Sequence, residues 1–359
     1  MVSTKAARVC YAAKNTPVAE LGLRRAPGHS SALIASRAAY IGGIGYSSNV
    51  EASKLYNIPY IGTMSHSWVM NFDTERDAFH TYSRLYPKNA VFLLDTYDTL
   101  KSGIVHAIEA GKTLVQQGNN FGVRLDSGDI DYLSRTVRAK LNSSGLEKAF
   151  IVATNNLDEE IISDLTAAHC PIDMWGLGTK LVSNEISNSI EGVYKLCAKQ
   201  DENKHTFTGL LKVSNNIKKT TLPGIKQVFR YYSHKADLSN TAYIADVIAS
   251  DSVEGKENPQ MFSGAEVHHP LLDHRKFTLS KHALSFPLLQ KVFEKGEIIY
   301  NEDVQTMRSN VEKQLGCIDS SFKRLLNPHV YKVSISTELK SLRDSTLEKV
   351  EETYRKEEL

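Results

Sequence analysis

The sequence predicts an α/β fold, an irregular barrel in which parallel strands alternate with helices. Two observations carry this prediction. Short apolar runs recur at intervals of about 20 to 30 residues, the length of one strand, one helix and two short loops. Each run ends in a cluster of polar residues. Because parallel strands bring their carboxyl ends to one face of a barrel, these clusters would meet in one pocket.

The predicted strands are justified in chain order by the polar residues that follow them. The runs at 58–62, 90–94, 121–123, 149–152 and 172–175 lead into clusters at 63–66, 95–98, 124–129, 153–156 and 176–179. A further strand is predicted at 193–198, and another after the turn at 222–224.

The predicted helices precede and separate these strands. They cover 1–20, 30–39 and 49–57 before the first strand, and 100–117, 130–141 and 157–168 between later ones. Asn155 or Asn156 would cap the last of them, because acids at 158–160 suit the first turn of a helix.

The composition changes at about residue 251, which divides the chain into a barrel domain at 1–250 and an extension at 251–359. The extension is predicted to be mostly helical, with one strand at 330–335. Its last 22 residues, 338–359, form a charged helix with a solvated face.

Charge and cysteine usage exclude several classes of protein. A formal net charge of +2 over 359 residues argues against a nucleic-acid partner. Four scattered cysteines without C-x-x-C spacing argue against a zinc site or a disulfide framework, and favour a reducing cytoplasm. The sequence has no apolar run of about 20 residues and no secretory signal, so neither a membrane anchor nor export is predicted.

Three clusters offer groups for acid–base or anion chemistry. His66 follows the first predicted strand and is either a base, a ligand or phosphate acceptor, or a hydrogen-bonded core histidine. Asp95 could orient that histidine, whereas Asp98 suits a helix cap. Arg124 could bind a carboxylate or phosphate and Asp126 a sugar hydroxyl or Mg²⁺, unless the two simply pair with each other.

Two turns are suited to phosphate. Gly176, Gly178 and Thr179 form a glycine turn whose amides could hold a phosphate, although such turns are common. Thr154 and Asn155 are a second candidate of this kind. These residues together favour an enzyme that acts on a phosphorylated sugar with an anionic co-substrate. An isomerase or aldolase for sugar phosphates is a rival, but Lys195 lies within a predicted strand rather than at a tip.

At these residues the chain resembles the nicotinate phosphoribosyltransferases. The matching segments read TKAAR at 4–8, ELGLRR at 20–25, ASRAAYIGG at 35–43, SNV at 48–50, GTMSHS at 62–67, LDTYD at 94–98, GVRLDSGD at 122–129, NNLDE at 155–159, GLGTKLV at 176–182 and TTLPG at 220–224. The resemblance therefore covers most of residues 4–230. It implies the irregular TIM-like (β/α) barrel of type II phosphoribosyltransferases.

The resemblance also implies a reaction. Nicotinate would displace pyrophosphate from phosphoribosyl pyrophosphate and give nicotinate mononucleotide for NAD biosynthesis. ATP hydrolysis would be coupled through a phosphorylated His66, and Mg²⁺ is the expected cofactor, with its ligands unassigned.

The implied site residues fall into three groups. Asp95 would orient His66, and Asp126 would face the ribosyl group or the metal. Arg124 and Ser48 would face nicotinate, because relatives that use the amide place an acid near Ser48. The phosphates would lie against Arg25, Thr154, Asn155, Gly176, Gly178 and Thr179.

The family carries a domain ahead of the TKAAR motif, where this sequence begins, and that domain supplies an aromatic residue across a dimer interface. We therefore expect a cytoplasmic homodimer that lacks this ring-stacking residue. The alternative is a catalytically silent barrel that serves as a ligand-binding or partner subunit.

Overall fold

A computed structural model of the chain describes residues 1–183, 192–200, 206–214, 220–233, 242–251 and 261–357. The chain divides into two compact units. Unit 1 comprises Met1–Ile190 and Glu302–Glu312, and unit 2 comprises Glu191–Asn301 and Lys313–Leu359. The division therefore falls near residue 190 rather than 250, because the strands at 226–250 belong to the sheet of the second unit.

Unit 1 contains a six-stranded parallel sheet in the order β2-β1-β6-β5-β4-β3. Its strands are β1 (Val18–Glu20), β2 (Tyr46–Ser47), β3 (Val91–Leu93), β4 (Gly122–Leu125), β5 (Phe150–Ala153) and β6 (Met174–Leu177). Since all six strands run in one direction, their carboxyl ends share one edge. The predicted strands at 90–94, 121–123, 149–152 and 172–175 are thereby confirmed to within about two residues.

The helices of unit 1 precede, separate or follow these strands in the sequence. They are α1 (Val2–Ala13), α2 (His29–Ile41), α3 (Val50–Tyr56), α4 (His66–Met70), α5 (Glu75–Leu85), α6 (Ile104–Gln116), α7 (Ile130–Ser143), α8 (Glu159–Ala167), α9 (Thr179–Val182) and the first part of α10 (Val304–Gly316). A 3₁₀ turn covers Leu23–Arg25, and a π-helical turn covers Thr99–Gly103. The helix predicted at 1–20 thus ends at Ala13.

The first predicted strand, at 58–62, is wrong. This segment makes a single bridge, between Ser47 and Tyr60. Pro59 has no N–H to donate to a ladder, although its carbonyl accepts from the Ser47 amide at 3.0 Å. The sheet is instead extended by β1 and β2, which were not predicted.

Capping side chains set the starts of several helices. Asn49 accepts from the Ala52 amide at the start of α3, Asp98 from the Leu100 and Lys101 amides, and Asp129 from the Tyr132 amide. The predicted cap at Asn155 or Asn156 is wrong: Asp158 caps α8. Both asparagines have positive φ, 82° and 21°, and form the turn before it.

Unit 2 contains a mixed sheet in the order β12-β11-β16-β10-β9-β13 and two separate hairpins. Its strands are β7 (Ala198–Gln200), β8 (Phe207–Gly209), β9 (Lys226–Ser233), β10 (Ala242–Ser250), β11 (Glu266–His268), β12 (Lys276–Thr278), β13 (Leu284–Pro287), β14 (Phe293–Glu294), β15 (Glu297–Ile298) and β16 (Val333–Ile335). Its helices are the end of α10, α11 (Ser320–Lys323) and α12 (Thr337–Glu357).

Of the three strands predicted for unit 2, two are confirmed and one begins later than expected. The strand predicted at 193–198 begins only at Ala198. The strand after the 222–224 turn and the one within 330–335 are confirmed as β9 and β16. The extension contains five further strands at 266–298, each of two to four residues, which is too short to show an alternating pattern. Among the described residues, no helix combines the length and apolar character needed to cross a membrane.

Candidate active site

Arg124 lies within β4 at the carboxyl edge of the sheet, and three neighbours hold its guanidinium. Its Nε donates to Thr154 Oγ1 at 2.9 Å, and Nη1 donates to Thr63 Oγ1 at 2.8 Å. Its Nη2 pairs with Asp126 Oδ1 at 2.9 Å. The side chain is 17% exposed, so the guanidinium is fixed in position and still reachable.

These contacts use three of the five N–H groups that a guanidinium carries. Within the described part of the chain, one N–H on each terminal nitrogen has no protein acceptor. A planar carboxylate accepts well from a pair of guanidinium N–H groups. The arrangement therefore suits an anionic ligand beside Arg124, although Arg124 also pairs with Asp126.

His66 is the first residue of α4 rather than the last residue of a strand. Its Nε2 lies 3.5 Å from Asp126 Oδ2 and 4.0 Å from Asp95 Oδ1, and its Nδ1 lies 3.3 Å from Thr96 Oγ1. The ring hydrogen bond is thus to Thr96, and Asp95 faces the ring without a hydrogen bond. The side chain is 42% exposed.

The two carboxylates and the imidazole form a candidate cation site. One ligand atom each from His66, Asp95 and Asp126 lies within 4.8 Å of the others. Asp95 is 6% exposed, its Oδ2 accepts from the Ser127 hydroxyl, and its Oδ1 is a buried atom without a hydrogen-bond partner among the described residues. Carboxylate oxygens are the protein ligands that Mg²⁺ uses, so the two aspartates fit this ion.

Asp126 is held in its charged form. Burial by itself would raise the pKa of this carboxyl group. The Arg124 charge, hydrogen bonds from Thr154 and Arg124, and His66 outweigh burial, so its pKa lies below the ordinary value. Asp126 is therefore available as an anion at neutral pH.

Thr154 connects this cluster to the end of β6, where Gly176 lies within the strand rather than in the predicted glycine turn. It is 2% exposed, and its hydroxyl contacts Asp126 and the Leu125 carbonyl. A Cβ at Gly176 would lie 2.6 Å from Thr154 Cγ2, and a Cβ at Gly178 would lie 3.2 Å from the Leu21 carbonyl oxygen. The chain segments at the ends of β1, β5 and β6 therefore approach one another closely at Gly176 and Gly178, where a larger residue would not fit.

The other predicted residues follow β1, β2, β5 and β6 at the same edge of the sheet. Thr179 begins α9, directly after Gly178, and Asn155 is exposed in the turn after β5. Arg25 is exposed at the end of the 3₁₀ turn that follows β1. Ser48 follows β2, and its amide donates to the Glu20 carbonyl at 2.9 Å.

Two buried contacts involve residues to which the sequence analysis gave no role. Thr63 holds Arg124, and the Glu20 carboxylate, 1% exposed, joins the loops after β1 and β2. Thr63 belongs to the polar cluster at 63–66, which the sequence analysis placed at the site without giving Thr63 a role. Glu20 ends a strand too short to be recognised in the sequence.

Comparisons with known proteins bear on the family of this chain. A family model described as the nicotinate phosphoribosyltransferase C-terminal domain matches residues 225–343. The nicotinate phosphoribosyltransferase of Bacillus subtilis is 36% identical over 94% of this chain and 66% of its own length. Nicotinate phosphoribosyltransferase pncB2 of Mycobacterium tuberculosis is 44% identical over 65% of this chain and 48% of its own. The chain thus spans between about half and two thirds of these relatives.

Solved structures share the fold. The crystal structure of human nicotinic acid phosphoribosyltransferase matches with a TM-score of 0.75 and 25% identity, over 96% of this chain and 73% of that one. A nicotinate-nucleotide pyrophosphorylase from Pyrococcus furiosus matches with a TM-score of 0.63 at 21% identity, over 88% of this chain and 70% of that one, which shows the fold alone. The predicted type II phosphoribosyltransferase fold is confirmed, and the chain belongs to the nicotinate phosphoribosyltransferase family of enzymes.

Proposed function

We propose that this chain is a nicotinate phosphoribosyltransferase of NAD biosynthesis. Nicotinate attacks C1 of the ribose through its ring nitrogen, the C1–O bond to pyrophosphate breaks, and nicotinate mononucleotide and pyrophosphate leave. The family membership gives the reaction class. The observation that carries the choice of substrate is the fixed Arg124 guanidinium with N–H groups left for a carboxylate.

The carboxylates serve the ribosyl group in this proposal. Displacement at C1 passes through an oxocarbenium-like state, so the anionic Asp126 beside the ribose lowers its energy. Asp95 and Asp126 would hold Mg²⁺, which when bound neutralises charge on the departing pyrophosphate. Arg25 would face these phosphates, while Thr154, Asn155, Gly176, Gly178 and Thr179 would surround the 5′-phosphate with amides and hydroxyls.

The same site would couple the reaction to ATP through His66. A ring nitrogen of His66 attacks the γ-phosphorus of ATP, ADP leaves, and water later cleaves the N–P bond to release phosphate. The support is an exposed imidazole that lies 3.5 Å from Asp126, where a phosphoryl group would add negative charge next to the pyrophosphate. Nicotinate, phosphoribosyl pyrophosphate and ATP are thus the proposed ligands.

Other properties implied by the resemblance stay predictions. They are the homodimer, the cytoplasmic location, and the extra domain with its ring-stacking residue.

The testing experiment is an assay of nicotinate mononucleotide formation by this chain, with phosphoribosyl pyrophosphate and Mg²⁺, with and without ATP. Nicotinamide serves as the matched neutral substrate. We expect product from nicotinate, a rate increase with ATP, and at least about tenfold lower use of nicotinamide, since one lost charge-assisted contact is worth about that factor. Binding of nicotinate without product would instead favour the silent ligand-binding subunit.

A further inference from the structure

The Glu20 carboxylate lies under the rim of the candidate site and contacts three different elements. Glu20 is the last residue of β1, is 1% exposed, and sits between β2 and β6 in the sheet. Its Oε1 accepts from the Gly22 amide. Its Oε2 accepts from the hydroxyls of Ser36, at 2.9 Å, and Ser47, at 2.6 Å. No ion pair reaches this carboxylate within the described residues, so its charge is met by neutral donors.

One of these donors belongs to the turn that carries Arg25. The Gly22 amide donates to Glu20, and the Gly22 carbonyl accepts from the Arg25 amide at 2.8 Å. Gly22 also packs against Val182 of α9, where a Cβ would clash with both methyl groups. The position of the Gly22 amide therefore fixes both the 3₁₀ turn and its approach to the helix that begins at Thr179.

A second donor, Ser47, ends β2 directly before the loop that carries Ser48. The Ser47 hydroxyl donates to Glu20 and accepts from the Asn49 amide at 3.0 Å. Asn49 in turn caps α3. The Glu20 carbonyl adds a bond from the Ser48 amide. One residue thus anchors the loops after β1 and β2 through both its side chain and its main chain.

We propose that Glu20 is a positioning residue that sets the Gly22–Arg25 turn and the Ser47–Asn49 loop for their two ligands. The inference rests on the proposed function, in which Arg25 faces phosphoribosyl pyrophosphate and Ser48 faces nicotinate. Its three donors separate the effects. Ser47 connects Glu20 to the Ser47–Asn49 loop, and Gly22 connects it to the Gly22–Arg25 turn. Ser36 lies on α2 and belongs to neither segment.

The test compares four variants in steady-state kinetics. Glu20→Ala should raise the KM of both substrates by about tenfold with kcat within about threefold, because substrate binding is lost and the reacting groups are untouched. Glu20→Gln should recover most of this loss, since its carbonyl can accept from Gly22 while its NH₂ donates to the two serines. Ser47→Ala should raise the KM of nicotinate alone. Ser36→Ala is the matched control, with both KM values unchanged despite any loss of thermal stability.

Two kinetic results would overturn the proposal: unchanged KM values in Glu20→Ala, or a Glu20→Gln variant as impaired as Glu20→Ala, which would assign the role to the charge itself. Hydrogen–deuterium exchange supplies a readout that does not need catalysis. Peptides covering 18–25 and 45–52 should exchange faster in Glu20→Ala and Glu20→Gln should restore protection, whereas Ser36→Ala should leave both peptides unchanged. Exchange that does not change in Glu20→Ala refutes the positioning role even if the chain proves inactive, and loss of the proposed function alone leaves this result intact.

Discussion

At the scale of single residues, the fixed guanidinium of Arg124 predicts how substitutions there change the KM of nicotinate. Arg124→Lys replaces a planar fork with a point charge, so the KM of nicotinate should rise about 10- to 100-fold with a smaller change in kcat. Arg124→Ala should act in the same direction. The measurement is initial-rate kinetics at saturating phosphoribosyl pyrophosphate.

Thr63 offers a finer version of this test. Thr63→Val removes the hydroxyl that accepts from Arg124 Nη1, and Thr63→Ser keeps it. The valine variant should raise the KM of nicotinate about threefold to tenfold, and the serine variant should resemble the wild type.

An unchanged KM for nicotinate in Arg124→Ala would show that the Arg124 guanidinium does not contact nicotinate.

His66 makes a separate prediction about coupling. His66→Ala should abolish stimulation by ATP and leave a slow transfer reaction, since the ribosyl chemistry belongs to the carboxylates and Arg124. The wild type should retain an acid-labile, base-stable ³²P label from [γ-³²P]ATP, and the variant should not. The matched control is His80→Ala. His80 lies on α5, and its Nε2 is 3.5 Å from Glu109 Oε1. A label that persists in His66→Ala would assign the phosphoryl group to another residue.

At the scale of elements, Glu75 links α5 to the π-helical turn that follows β3. Its Oε2 accepts from the Ser102 hydroxyl, and its Oε1 is a buried atom without a partner among the described residues. Burial raises the pKa of Glu75 above its ordinary value, and this effect exceeds that of Ser102 and His106. The charged form of Glu75 is therefore a cost to the fold at neutral pH.

A raised folded-state pKa gives the pH dependence its sign. The stabilisation from protonated Glu75 is complete below the unfolded-state pKa and is lost as pH rises through the folded-state pKa. Glu75→Gln should thus match the wild type near about pH 4 and exceed its unfolding free energy by about 1 kcal/mol at pH 8. Denaturant unfolding across this range measures the difference.

Glu109 is the matched control of opposite sign. Arg76 lowers the pKa of Glu109 to about 2, so the stabilisation from its charged form is complete above the unfolded-state pKa and is lost as pH falls through the folded-state pKa. Glu109→Gln should be less stable than the wild type at pH 8. If Glu75→Gln also loses stability at pH 8, the ionised carboxylate of Glu75 stabilises the fold and the prediction is wrong.

The elements differ in how far the sequence predicts them, and length explains most of the difference. Strands β3 to β6 and their polar tips were predicted because each run has several apolar residues and a helix on either side. β1 and β2 have only three and two residues, and their place in the sheet depends on pairing between segments far apart in the chain, β1 with β6 and β2 with β1. Residues 58–62 looked like a strand by composition, but Pro59 cannot supply a ladder bond.

The same limit applies to the site. The strand ends that hold Asp95, Arg124 and Asp126 could be predicted as neighbours, because parallel strands impose that result. His66 was expected there for a different reason, a strand at 58–62 that does not form, and it reaches the site from the start of α4. The hydrogen bond from His66 to Thr96 and the role of Thr63 depend on side-chain directions, which follow from the folded loops and not from the spacing.

At the scale of the whole molecule, both tryptophans and the proposed site belong to the same unit. The sequence contains two tryptophans, and both, Trp68 and Trp175, lie in unit 1. All predicted site residues lie in unit 1 as well. The core of unit 2 contains Phe229, Tyr231 and Val267 but no tryptophan. Tryptophan fluorescence therefore follows the unfolding of unit 1 alone.

This division predicts the effect of ligand on thermal unfolding. A ligand that binds only the folded state stabilises it by about 2.7 kcal/mol at one hundred times its Kd. For a unit of about 200 residues this corresponds to a rise of roughly 5 to 10 °C in Tm. Phosphoribosyl pyrophosphate with Mg²⁺ should shift the tryptophan transition by that amount. Ribose 5-phosphate with Mg²⁺ should shift it less, because it lacks the pyrophosphate that we propose to lie against Arg25 and the two aspartates. A ligand-induced shift confined to the tyrosine signal in near-ultraviolet circular dichroism, with no change in tryptophan fluorescence, would place the binding site in unit 2 and contradict the assignment of every residue proposed here.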